Sequence, residues 1–118
     1  VFGCPGGKAF LRRKDLGRLS GKNSAITYLT AEDPGPEEAC DISKEIATYV
    51  AEEHGEYRII DDRGEAIKQA ILENPNSVVL ITGKGNETRQ KIGTQYVPCL
   101  TDTQYAQEAL KEYDKNCN

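Results

Sequence analysis

The chain has 118 residues, a net charge of −4 and 37% hydrophobic residues, which suits one domain built around one core. No apolar run reaches 18 residues, so no transmembrane helix is encoded, and an acidic total without interleaved aromatic residues argues against nucleic acid as a partner. Cys4, Cys40, Cys99 and Cys117 are widely spaced, none in a CxxC pair, and only one histidine accompanies them. That pattern predicts free thiols in a reducing cytoplasm rather than a zinc site or a disulfide framework.

Val1–Cys4 reads as the end of a strand, as expected of a domain taken from a longer protein, and no charged-then-apolar signal segment opens the chain. The loop Pro5-Gly6-Gly7-Lys8 follows, then a weak helical pattern over Leu11–Leu19 and a strand over Ala25–Thr30. Glu32–Pro36 is a turn into a helix, with Pro36 suited to its first turn. Ala39, Ile42, Ile46, Tyr49 and Val50 recur at helical spacing and predict one buried stripe. Glu37, Glu38 and Asp41 match the positive end of that helix, and Gly55 is its expected stop. His54 just before it is read as structural, its cation suited to the helix end.

Tyr57–Ile60 is the next strand. Asp62 and Glu65 form a capping pattern ahead of a helix whose apolar face is Ala66, Ile67, Ala70 and Ile71, ended by Asn74-Pro75. Ser77–Thr82, with its run Val78-Val79-Leu80-Ile81, predicts a strand buried on both faces. Thr88–Ile92 and Gln95–Val97 predict a small hairpin turning at Gly93-Thr94. Thr101–Gln104 has the S/T-x-x-Q capping signature and opens a helix carrying Tyr105, Ala106, Ala109, Leu110 and Tyr113, with a tail from Lys115 to Asn118 expected to fray.

Alternating strands and helices predict an α/β, Rossmann-like three-layer domain: a mostly parallel sheet with a small antiparallel hairpin at one edge. In such sheets ligands bind beyond the carboxyl ends of the strands. Three loops, Cys4–Lys8, Ala31–Gly35 and Gly83–Glu87, should therefore meet at one rim. Cys4 in that region has no histidine partner indicated and is read as a packing residue. Charge is uneven: residues 1–24 carry Lys8, Arg12, Arg13, Lys14, Arg18 and Lys22 against Asp15 alone, while residues 32–56 carry nine acids against Lys44. The basic stretch could face a phosphorylated small molecule or simply form a solvated surface.

The segments VFGCPGGKAFLRR, LTAEDPGPEE, DDRGEAIKQAI, VVLITGKGNETRQKIG and TDTQYAQEAL resemble, in order, the C-terminal domain of the Mur ligases. Within that family they are most similar to the MurE-like UDP-N-acetylmuramoyl-dipeptide ligases, which add the third residue of the peptidoglycan stem peptide. GKGNET resembles the family's GKGHE motif. The resemblance implies an ATP-dependent ligase in which ATP phosphorylates the dipeptide carboxylate, the amine of a free amino acid attacks, and phosphate leaves. It also implies that ATP and Mg2+ are held mainly by a central domain outside this chain, and that this domain is a lid presenting the amino acid. No GxxxxGK[ST] phosphate loop occurs here, so the chain alone is expected neither to hydrolyse ATP nor to ligate. The implied partners are UDP-N-acetylmuramoyl-dipeptide, a free amino acid, and the N-terminal and central domains of the same cytoplasmic enzyme; neither nucleic acid nor membrane is among them.

By the same resemblance Gly83 and Glu87 match the residues that hold the far end of an incoming diamino acid. A carbonyl and a carboxylate suit an ammonium donor. Diaminopimelate enzymes carry DNPR where this chain has Glu32-Asp33-Pro34-Gly35, so Gly35 stands in place of an arginine; Lys8 stands in place of another. Losing guanidinium forks and gaining Asp33 beside Glu32 disfavour a second substrate carboxylate, which makes lysine the first expectation, with ornithine or a neutral amino acid open. Asp33 could also cap the following helix. Arg12 and Arg13 match a basic pair that could contact phosphate or the UDP-linked substrate, and Lys84 could pair with a neighbouring acid to shape its loop. No catalytic residue and no metal ligand is expected in the chain. A non-catalytic α/β small-molecule-binding or interaction module is the alternative. The C-terminal domain of a folylpolyglutamate or cyanophycin synthetase fits the last two segments less well.

Overall fold

The computed structural model describes residues 1–116. Eight elements follow in order: α1 (Phe10–Asn23), β1 (Thr27–Leu29), α2 (Ala39–Glu52), β2 (Tyr57–Ile59), α3 (Arg63–Glu73), β3 (Arg89–Ile92), β4 (Gln95–Pro98) and α4 (Asp102–Asn116). β1 and β2 pair in parallel, Thr27 opposite Tyr57 and Leu29 opposite Ile59. Phe2 adds a parallel bridge on the other side of β1, so β1 lies inside the sheet.

Three layers result. On one face Phe2, Cys4 and Leu29 pack with Ile42, Ile46, Ala47 and Val50 of α2, with Leu16 and Ile59 beside them. On the other, Ile67 and Ile71 of α3 meet Ala109 of α4, flanked by Val1, Val79, Ile81, Tyr105 and Tyr113. The strand period separates them: Leu29 points to the first core, while the Tyr28 hydroxyl accepts a hydrogen bond from Asn74 Nδ2 at the end of α3, 3.1 Å away.

α1 is longer than its weak pattern suggested. It has no side-chain cap, and its buried residues, Arg13, Gly17 and Gly21, are not apolar anchors. Contact with α2 holds it: a Cβ at Gly17 would stand 2.8 Å from the Ile46 carbonyl oxygen, and one at Gly21 2.6 Å from that of Val50. Tertiary approach, rather than propensity, extends the helix.

α2 buries Ile42, Ile46 and Val50 as expected, while Ala39 and Tyr49 are half-buried. Two details differ. Pro36 precedes the helix, whose N-cap is Glu38. The left-handed stop is His54 at φ 60°, not Gly55. Gly55 is small for another reason, since its Cβ would lie 2.7 Å from Gly21 Cα.

α3 opens with Asp62 Oδ1 accepting the Glu65 amide at 2.8 Å, and α4 with the reciprocal pair Gln104 N to Thr101 Oγ1 (3.1 Å) and Thr101 N to Gln104 Oε1 (2.9 Å). α4 continues through Lys115 and Asn116; Cys117 and Asn118 lie outside the described residues.

Ser77–Thr82 departs from expectation. It forms no named strand, and it meets Val1 through Thr82 N to the Val1 carbonyl at 3.1 Å and the Val1 amine to the Leu80 carbonyl at 2.8 Å. Val78 is 98% exposed and Leu80 72%, whereas Val79 and Ile81 pack on α3 and α4. The run is covered on one face only, because among the described residues no element lies over Val78 and Leu80. β3 and β4 form the expected hairpin around Gly93 (φ 63°), a separate sheet that docks on Gly35 through Gly35 N to Lys91 O (2.9 Å) and Gly93 N to Gly35 O (2.6 Å).

Candidate functional site

The three loops converge. Gly6 N donates to the Asp33 carbonyl at 2.9 Å, joining the first loop to the second. Lys84 Nζ donates to Asp33 Oδ1 at 2.7 Å, joining the third to the second. Gly83 (φ 116°) faces Glu32 so closely that a Cβ there would lie 3.1 Å from Glu32 Oε2. Glu32, Asp33, Gly83, Lys84 and Glu87 therefore share one rim. Lys8 and Arg12 are exposed at its side, their charges opposing the upward pull of burial on the Asp33 and Glu32 carboxyls respectively.

Lys84 is 3% exposed, an ammonium buried inside the motif. Asp33 takes its proton donor and also the Lys91 amide at 2.9 Å. Burial pulls the Asp33 carboxyl upward, but these two hydrogen bonds and the lysine charges outweigh it and hold the group below its usual value. Asp33 thus caps no helix. Its charge is neutralised within the protein, and Glu87 Oε1 lies 3.6 Å from the same ammonium while remaining largely exposed. Lys84 shapes the loop by pairing with an acid.

The free acid in the crevice is Glu32. Burial raises its carboxyl above the usual range, against the charges of Arg12 and Arg63, and Asp33 adds to the rise. Among the described residues no donor reaches its carboxylate, although its carbonyl accepts from Gln90 Nε2 at 3.0 Å. Cys4 is 1% exposed, and burial, helped by Glu32, pushes its thiol up to about 11. It packs as a thiol, consistent with a core role.

Arg13 does not face a ligand. The residue is 3% exposed, and its guanidinium donates to Glu37 Oε2 (2.7 Å), Glu45 Oε2 (2.7 Å) and the Pro5 carbonyl (3.1 Å), while Glu37 Oε2 also accepts from Gly7 N at 2.6 Å. Arg13, expected to contact phosphate or the UDP-linked substrate, instead braces the first loop against α2. Arg12, one residue earlier, keeps an open head.

One cluster was invisible in sequence. Arg63, the first residue of α3, grips Asp102, the first of α4, with Nε to Oδ1 and Nη2 to Oδ2 both at 2.7 Å. Nothing in their spacing pairs residues so far apart in sequence. Burial pulls the Asp102 carboxyl up, but Arg63 and the loop amides of Gly85 and Lys84 hold it below its usual value.

A concavity of about 520 Å³ is lined by Leu16, Leu19, Ile26, Val78 and Leu80 and includes none of the three loops. The rim is a shallow polar edge rather than that cavity. Among the described residues no three His, Cys, Asp or Glu side chains gather as a metal site, and no helix is long and apolar enough to cross a membrane.

A parallel α/β sheet whose strand-end loops close on charged and glycine residues defines a domain of the Rossmann-like class. Residues 1–85 match the family model described as Mur ligase, glutamate ligase domain, and the chain belongs to that family. Among similar proteins are a UDP-N-acetylmuramoyl-L-alanyl-D-glutamate--2,6-diaminopimelate ligase of Alkaliphilus metalliredigens, 36% identical over 95% of this chain and 23% of the relative. A UDP-N-acetylmuramyl-tripeptide synthetase of Lactobacillus delbrueckii subsp. bulgaricus is 38% identical over 98% and 22%. A UDP-N-acetylmuramoyl-L-alanyl-D-glutamate--L-lysine ligase of Streptococcus pyogenes is 37% identical over 93% and 23%. The chain spans less than a quarter of the length of these curated relatives.

Proposed function

We propose that residues 1–118 are the amino-acid-binding C-terminal domain of a longer cytoplasmic, ATP-dependent ligase that adds the third stem-peptide residue to UDP-N-acetylmuramoyl-dipeptide. Family membership over residues 1–85 supports the class. The observation that carries the site is the Lys84–Asp33 contact at 2.7 Å, which holds the GKGNE loop against the second loop.

This chain's residues do two things in the reaction. Glu32, the exposed Glu87 and the Gly83 carbonyl offer acceptors for the distal ammonium of a diamino acid, and Lys8 and Arg12 offer cations for its α-carboxylate. Closing the domain on the remaining enzyme would exclude water from the reacting centre. ATP and Mg2+, which supply the phosphoryl group that activates the dipeptide carboxylate, would be held by the central domain. The residues here do not fit a phosphate cradle, since the loop lysine is turned to Asp33 and buried. The N-terminal and central domains are thus the partners, with no nucleic acid or membrane.

The preference for lysine now rests on different residues. Asp33 is matched by Lys84, so it adds little charge to the rim. The open acids Glu32 and Glu87 and the missing guanidinium at Gly35 favour a lone ammonium over a second carboxylate. The names of the similar proteins include both diaminopimelate and lysine ligases. Amino-acid-dependent phosphate release by the full-length protein, with UDP-N-acetylmuramoyl-dipeptide and ATP, tests the reading. Lysine should give the highest kcat/KM, with the isolated 118 residues inactive. Preference for diaminopimelate would overturn the choice of amino acid, and no release with any amino acid would overturn the ligase.

A further inference from the structure

We infer that the buried Arg63–Asp102 pair is the positioning element of the amino-acid rim, an inference that rests on the ligase reading for its substrate but on geometry for its action. Arg63 is 4% exposed and Asp102 6%. A buried ion pair is weak evidence for stability, because desolvation offsets most of its attraction. Arg63 also sits at the N-terminal end of α3, where a helix disfavours a cation. Asp102, in the first turn of α4, suits that helix's positive end, but no helix accounts for the arginine.

Its remaining donors explain the placement. Arg63 Nη1 donates to the Ala31 carbonyl at 3.0 Å, and Nη2 to the Thr82 carbonyl at 2.8 Å. Those carbonyls immediately precede Glu32 and Gly83, the facing residues of the second and third loops. Asp102 completes the frame: its Oδ2 accepts Gly85 N at 3.1 Å, and its own amide donates to the Gly85 carbonyl at 3.0 Å. Gly83 is therefore pinned on both sides, by Thr82 O and by the amides after it. One guanidinium fixes the separation of the two loops, and its carboxylate partner fixes the shape of the third. A lysine could supply the charge but not the fork.

The test uses the full-length protein with Arg63→Lys, which keeps the charge and loses the fork, and Asp102→Asn, which keeps the shape and loses the charge. The KM for the acceptor amino acid should rise about tenfold or more in both, since small displacements of a positioned group carry large penalties. kcat and the KM values for ATP and the UDP-linked dipeptide should change less than about threefold. Hydrogen exchange of residues 83–87 should accelerate about tenfold or more, with α2 unchanged. Unchanged exchange at 83–87 in both variants overturns the inference. So does a fall in kcat with amino-acid KM unmoved, or a uniform loss of protection or solubility in both variants. If the wild type shows no amino-acid-dependent release, the ligase reading alone fails, and loop exchange still decides the positioning claim.

Discussion

Lys84 Nζ stands 2.7 Å from Asp33 Oδ1, and the two side chains are unequally buried, at 2% and 27% exposure. That inequality sets an order of losses. Asp33→Ala strands an ammonium with no closer carboxylate than Glu87 at 3.6 Å, and is expected to cost about 3–5 kcal/mol. Lys84→Met leaves a carboxylate that water can reach and the Lys91 amide still serves, so about 1–2 kcal/mol is expected. Urea unfolding of the two variants measures the order; equal losses would mean that Lys84 is not effectively desolvated.

The acids of the rim act in opposite pH windows. Asp33 and Asp102 are held below their usual value, so their contribution is present above the unfolded carboxyl range and fades as pH falls through their folded values. Glu32 is held above its usual value, so it favours the fold most at low pH, and that advantage is lost as pH rises through its folded value. Glu32→Gln should therefore be more stable than the parent at pH 7 and should lose that gain below pH 4. Stability curves between pH 3 and 8 check the sign. A gain in stability with a loss of amino-acid binding would mark Glu32 as a residue kept for its site.

Gly21 offers a test in which propensity and packing disagree. Alanine in a helix interior normally gains about 1 kcal/mol over glycine. Here the added Cβ would meet the Val50 carbonyl oxygen at 2.6 Å and Val50 Cα at 3.0 Å. Gly21→Ala is expected to destabilise by about 1–3 kcal/mol through separation of α1 from α2. Thermal or chemical unfolding reads the sign directly.

These cases indicate what the sequence could disclose. The capping signatures of α3 and α4, the apolar faces of α2 and α3, and the hairpin at Gly93 rest on neighbours a few residues apart, and periodicity carries that information. The meeting of the loops was legible because parallel topology places strand ends on one side. What remained hidden depends on distant partners. Arg13 and Arg63 look like any helix arginine until Glu37, Glu45 and Asp102 arrive from elsewhere. Asp33 looked like free charge until Lys84 was found beside it. Val78 and Leu80 read as buried because the run is continuous, yet whether both faces are covered depends on which elements lie over them.

Gly35 separates the two substrate expectations most cleanly. It adopts φ 56°, it is buried, and a Cβ built there meets nothing within 4 Å. An arginine would therefore have open space but a left-handed backbone, at a cost of about 1–2 kcal/mol. Gly35→Ala carries the same strain without the guanidinium and serves as control. On the proposed function, Gly35→Arg in the full-length protein should raise kcat/KM for diaminopimelate relative to lysine by about tenfold, because a bidentate fork would then meet the second carboxylate. Gly35→Ala should leave the ratio unchanged. An equal response of both variants would mean that position 35 acts through the backbone that docks the hairpin, and that the rim reads the amino acid through Glu32 and Glu87 alone.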